Sequence, residues 1–127
     1  MGHIYVDVEI GASRATRRVR MLVNTGATYT IIPPQFANEI GLVRNYFLPR
    51  ALEASLVEDI RTEAVLADAV ISDIEEEVLI SDKLTGRLGI ILEDVAEGIY
   101  ALKADSDRRP RRSYSLRGGE ASVKSSL

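Results

Sequence analysis

Ile4, Val6, Val8 and Ile10 alternate with more polar neighbours, the period of two that marks a strand with one buried face. Gly11-Ala12-Ser13 turns the chain, and residues 16–23 form a second strand that alternates at Arg18, Val19, Arg20 and Met21 before becoming wholly apolar at Leu22-Val23. A short strand is predicted over 28–32. Pro33-Pro34 ends it, and a short helix over 35–40 is closed by Gly41, the usual asymmetry of Pro at a helix start and Gly after its end. Residues 51–57 and 61–74 read as two extended segments joined at Glu58-Asp59, a long hairpin. Val78-Leu79-Ile80 is a buried strand, a helix begins at Asp82, and Ile99–Leu102 is one more short strand after a turn at Gly98. The prediction is an all-β domain with one or two short helices.

Beyond Ala104 the run Arg108-Arg109-Pro110-Arg111-Arg112-Ser113 and the Gly/Ser-rich remainder lack apolar periodicity. The expected organisation is therefore one domain over 1–104 and a basic tail over 105–127, of a composition able to stay disordered alone. Charge follows the same division. Residues 1–102 hold 9 Lys and Arg against 16 Asp and Glu, whereas residues 103–127 hold 7 against 3. Phosphate contacts need clustered cations, so the acidic body argues against a nucleic-acid face, and the tail is the one place where such a contact is conceivable.

With 46% hydrophobic residues in 127, the chain can build a globular core. The absence of Cys excludes disulfides, thiolate nucleophiles and thiolate metal sites, and His3, the single histidine, cannot assemble a zinc site unaided. No metal or other cofactor is expected. The acidic run Asp73-Ile74-Glu75-Glu76-Glu77 reads as a solvated turn, because adjacent carboxylates in a connection do not converge on one point. No apolar run is long enough to span a bilayer and no signal-peptide pattern opens the chain, so a cytoplasmic location is expected.

The chemistry lies in Met21-Leu22-Val23-Asn24-Thr25-Gly26-Ala27-Thr28. The apolar run Met21-Leu22-Val23 reads as a buried strand that leads into residue 24. Thr25 supplies a hydroxyl that both donates and accepts, and Gly26 permits close approach of a neighbour or substrate. The segment resembles the active-site loop of the retropepsin-like (retroviral-type) aspartic proteases, hydrophobic-hydrophobic-Asp-Thr/Ser-Gly-Ala, with Asn24 at the Asp position. A second stretch, Val78-Leu79-Ile80-Ser81 through Leu88-Gly89, is similar to the family's second motif, with Ser81 in place of Gly and Asp82 in place of Arg. Ser81 is also suited to cap the helix that begins after it.

The resemblance implies a retropepsin-like acid protease barrel. It implies an endopeptidase in which two carboxylates share one proton and activate water, with no covalent intermediate. One chain carries one such loop, so a homodimer is implied, its subunits welded by residues 3–10 and Ile99–Leu102. Asn24, Thr25 and Gly26 take the catalytic positions. Ala27 and Thr28, with Val57, Glu58, Asp59 and Ile60 at the tip of a flap, take the substrate-binding ones, and the partner is a peptide or protein. Asn24 is neutral and cannot serve as a general base, so the chain is expected to keep the fold and the dimer and to lack activity. The alternative is a naturally non-catalytic dimeric module that binds peptides in the same cleft.

Overall fold

The computed structural model of the chain describes residues 3–114. Period-two alternation does what it should in β1 (Tyr5–Gly11), where Val6, Val8 and Ile10 point inward and are fully buried. β1 turns into antiparallel β2 (Thr16–Val23) with Tyr5 opposite Leu22 and Gly11 opposite Thr16. On the outer face this register sets Asp7 opposite Arg20 and beside Arg18. Asp7 is buried, and Arg20 Nε reaches its carboxylate at 2.9 Å.

β2 pairs in parallel with β6 (Val78–Ile80), Met21 opposite Val78 and Val23 opposite Ile80. A parallel pair needs a long crossover. Here that crossover holds β3 (Thr30–Ile32), α1 (Pro34–Ile40), β4 (Arg50–Leu56) and β5 (Val65–Ile71). β3 pairs with both β6 and β5, β4 and β5 form a hairpin, and β4 returns to β1, closing a barrel of order β1-β2-β6-β3-β5-β4. Its interior is filled by Ile4, Ile10, Met21, Ile32, Leu52 and Ile80 among others, each at most 2% exposed. Burial on this scale contributes about 1.5–3 kcal/mol per large side chain. No helix among the described residues is long and apolar enough to cross a membrane.

α1 carries Pro34 in its first turn and ends at Gly41, whose φ of 82° is left-handed. The β1–β2 turn docks on that end: Arg14 N–H donates to Ile40 O at 2.9 Å and Ser13 Oγ donates to Gly41 O at 2.9 Å, satisfying carbonyls the helix leaves unpaired. α2 (Asp82–Arg87) comes directly after β6 and leads into a second, three-stranded antiparallel sheet of β7 (Ile90–Asp94), β8 (Ile99–Leu102) and β9 (Arg111–Arg112).

Three features differ from the sequence reading. The short strand begins at Thr30, and the second hairpin strand at Val65. Residues 57–64 form a looped tip closed by a Val57–Arg61 bridge and by Leu56 N–H donating to Thr62 Oγ1 at 2.9 Å, which interrupts the extended run. Third, the packed body continues beyond Ala104 to Tyr114, and composition hid this because residues 105–114 are held by charge and backbone pairing. Asp105 accepts the N–H groups of Asp107 and Arg109, both at 3.1 Å, forming a turn in which Arg108 adopts φ 49°. Arg109 and Arg111 both pair with Asp59, and Arg111 reaches Asp105 at 3.3 Å. Ser113 N–H donates to Gly98 O at 2.7 Å while Ser113 Oγ accepts from Tyr5 N–H at 2.7 Å. Tyr114 OH donates to Glu58 at 2.8 Å, and the Arg20 guanidinium stacks 3.7 Å over the Tyr114 ring. The remainder of the predicted tail, residues 115–127, lies outside the described residues.

The two interior edges expected to carry a dimer sheet are occupied within the protomer. β8 lies between β7 and β9, and β1 lies between β2 and β4, with Glu58 and Ser113 accepting the Asp7 and Tyr5 N–H groups where β4 stops.

Replacing Gly41 by Ala would force a Cβ to within 2.6 Å of Arg14 Cβ and 2.8 Å of Arg14 N, at a left-handed φ. Gly41→Ala is expected to cost about 2 kcal/mol or more, read as a lowered urea midpoint with an unchanged slope. The 105–114 segment should also respond to acid. Arg111 beside Asp59 holds that carboxyl below its usual 3.8. Burial opposes ionisation of Asp105, yet the N–H groups of Arg109 and Asp107, with Arg111, bring it below 3.8 as well. A depressed carboxylate stabilises above its unfolded value and loses that contribution as pH falls through the folded one. Glu58 runs the other way, since burial raises it above 4.5 and protonating it relieves that cost. Amide-exchange protection of Ser113 should therefore hold or rise slightly as pH falls to about 4.5, then fall below about 3.8.

Candidate active-site loop

The loop after β2 is fixed by its backbone. Val23 N–H donates to Ile4 O at 2.8 Å, and one residue later Asn24 N–H donates to Ile80 O at 3.1 Å, so the chain is held on both flanks up to residue 24. Ala27 N–H then donates to Asn24 O at 3.2 Å, closing a turn that leaves Asn24 half-buried and Thr25 and Gly26 exposed.

α2 clasps the same loop from the other side. Gly26 N–H donates to the Asp82 carboxylate at 2.8 Å, while Asp82 N–H donates to Ala27 O at 3.2 Å. An acidic side chain here grips the loop's backbone instead of pairing with another charge. Ser81, buried, accepts Leu84 N–H at 3.1 Å and so caps α2, and its own N–H donates to Thr30 Oγ1 at 3.2 Å. The serine hydroxyl is thus accommodated by buried Thr30, whose hydroxyl lies 3.3 Å from it.

Gly26 has φ 92°, a region side chains rarely adopt, and a Cβ built there would meet nothing within 4 Å. Within one protomer the glycine is required by its backbone conformation, not by crowding. Asn24, Thr25, Gly26, Ala27 and Thr28 are therefore gathered into one rigid turn.

Val57, Glu58, Asp59 and Ile60 form a separate constellation at the hairpin tip. Val57 is buried, and Ile60 packs against the core. Glu58 accepts Asp7 N–H at 2.7 Å as well as the Tyr114 hydroxyl, and Asp59 is held by Arg109 and Arg111. Burial pushes both the Glu58 carboxyl and the Tyr114 phenol above their usual ranges, and Glu58 adds to the effect on Tyr114.

Beside Thr28 and Tyr29 lies a pocket of about 240 Å³ walled by Leu66 and Asp68 of β5 and by Ser81, Lys83 and Arg87. It is smaller than the roughly 300–1,000 Å³ of sites that take drug-sized ligands, and it has room for a single side chain. Leu66, Asp68, Lys83 and Arg87 were not singled out from sequence. The alternation Leu66-Ala67-Asp68-Ala69-Val70 was the available signal, since it turns Leu66, Asp68 and Val70 outward.

No protein-family model matches the sequence, and neither does any curated protein. Among solved structures, the chain is similar to the retroviral protease-like domain of Ddi1 from Leishmania major, with 12% identity and a TM-score of 0.58 over 93% of this chain and 98% of that one. A retropepsin-like aspartic protease from Rickettsia conorii aligns with 17% identity and a TM-score of 0.46 over 73% of this chain and 78% of that one. The closed six-stranded barrel, the two short helices and the near-complete overlap with the Leishmania domain give one conclusion: this chain has a retropepsin-like fold.

Proposed function

We propose that the chain is the subunit of a homodimeric aspartic-type endopeptidase, present here in an Asn24 form that retains the cleft and lacks the hydrolytic group. The observation that carries this reading is the Asn24–Thr28 turn, fixed on one flank by Ile4 and Ile80 and on the other by Asp82. Such rigidity is useful for holding a reacting group and serves no purpose in a solvated connection.

With Asp at position 24, two copies facing each other across a two-fold axis would place two carboxylates about 3 Å apart, where like charges cannot both ionise and one proton is shared. One carboxylate takes a proton from water as that water attacks the scissile carbonyl. The other donates its proton to the carbonyl oxygen, giving a tetrahedral diol that collapses to amine and acid. Thr25 lies beside this pair, and the exposed Gly26–Thr28 backbone offers hydrogen-bonding groups to an extended peptide. A peptide side chain fits the pocket between Leu66 and Lys83. Asn24 stops the reaction at binding, since an amide can neither take the proton from water nor carry the shared one. No cofactor is required by this chemistry.

The rival, a non-catalytic dimeric peptide-binding module, is favoured by Asn24 itself. Asn24→Asp separates the two. The endopeptidase reading expects at least about a hundredfold gain in cleavage of an apolar peptide library at mildly acid pH, blocked by pepstatin, in keeping with the 10²–10⁴-fold worth of general acid–base groups. Sedimentation should show dimers for both forms. Silence from a dimeric Asn24→Asp variant between pH 3 and 7 supports the module and overturns the endopeptidase.

A further inference from the structure

β3 and β5 run in parallel with Thr30 opposite Ala69, so the end of the Asn24–Thr28 turn is carried alongside the start of β5. There Leu66 and Asp68 point outward while Ala67 and Ala69 are buried. α2 lies across the same place. It grips the turn through Asp82, and its Lys83 and Arg87, four residues apart on one face of the helix, wall the pocket of about 240 Å³ that Thr28, Leu66 and Asp68 complete. Thr28 belongs to both, so the pocket is continuous with the turn. We propose that it is a subsite for an acidic peptide side chain, with Lys83 the group that selects the carboxylate and Asp68 the group that limits the selectivity.

The charge on the walls favours an anion. Residues 1–102 are acidic as a whole, yet this pocket carries two cations against one carboxylate. Arg87 donates from one guanidinium nitrogen to Leu66 O at 2.6 Å, which holds its side chain between α2 and β5 and keeps its charge on the wall. Lys83 and Asp68 are exposed and form no ion pair among the described residues, so the ammonium has its donors available to a ligand. Leu66, 58% exposed, gives the pocket an apolar side. The methylenes of a glutamate fit against it while the carboxylate reaches Lys83. A lysine or arginine in the same place would bring a third cation beside Lys83 and Arg87, and an apolar side chain would cover both cations without answering their charge. Asp68 opposes the carboxylate from the β5 wall and keeps the preference modest.

The subsite rests on the endopeptidase reading for its ligand class, a peptide, and is tested by binding so that it can stand or fall apart from catalysis. The probe is a set of decapeptide pools in which one position at a time is fixed as Glu, Gln or Lys and the others are mixed, titrated onto the full-length Asn24 chain. At one position Glu should bind about three- to fivefold more tightly than Gln, and Lys more weakly than either, the size expected of exposed ion pairs. Lys83→Gln should abolish that preference, Asp68→Asn should widen it, and 0.5 M NaCl should shrink it. Absence of binding, equal binding of the Glu and Gln pools, or a Glu preference that both substitutions leave unchanged would overturn the subsite. In the Asn24→Asp background the same position should show the Glu preference in kcat/KM, mainly through KM. If that variant cleaves peptides with no such preference, the subsite falls and the endopeptidase stands. If it cleaves nothing while the Asn24 chain still prefers Glu through Lys83, the endopeptidase falls and the subsite stands.

Discussion

The structure depends on the parallel pairing of β2 with β6. It joins segments separated by more than fifty residues, and it puts Val23 opposite Ile80 at the point where both strands end. The proposed site is built from the segments leaving those two ends: the Asn24 turn from one, Ser81 and Asp82 from the other. A crossover of this length is entropically costly to close, and the return comes from the apolar interior that the closed barrel completes. The Asn24 turn is therefore anchored at strand ends that belong to the barrel itself.

Much of this was legible from residue order because the signals were local. Alternation gave β1 and β2, the Pro and Gly flanks gave α1, and the apolar triplet at 78–80 gave β6. Ser81 was also readable as a cap, since its role needs only the three residues after it. What failed to show were features whose cause is distant. β9 is two arginines with no hydrophobic pattern, made a strand by the free edge of β8 and by Asp59 more than fifty residues away. The start of β5 was set by Thr62 closing the tip onto Leu56, a side-chain bond that propensity does not register. The role of Asp82 was equally hidden, because the glycine amide its carboxylate grips lies 56 residues away in the chain.

Charge is used differently on the two sides of the molecule. Around Asp7 it is partly buried and shared: two guanidiniums, a neighbouring carboxylate and a phenol meet in one patch, where Asp7 accepts from both Arg18 and Arg20 and Glu58 from both Asp7 N–H and Tyr114 OH. At Asp59 the carboxylate is half exposed and joins a buried guanidinium, Arg111, to an exposed one, Arg109.

Among the described residues the second sheet ends in two borders without a strand partner, the outer rim of β7 and the outer rim of β9. β7 finishes in Glu93 and Asp94, whereas β9 is cationic, only two residues long, and preceded by Pro110, which has no N–H to offer. Joining the acidic rim of one molecule to the basic rim of the next would repeat without end and grow a fibre. The brevity of β9 and the proline at its entrance leave that rim little backbone to offer an added strand.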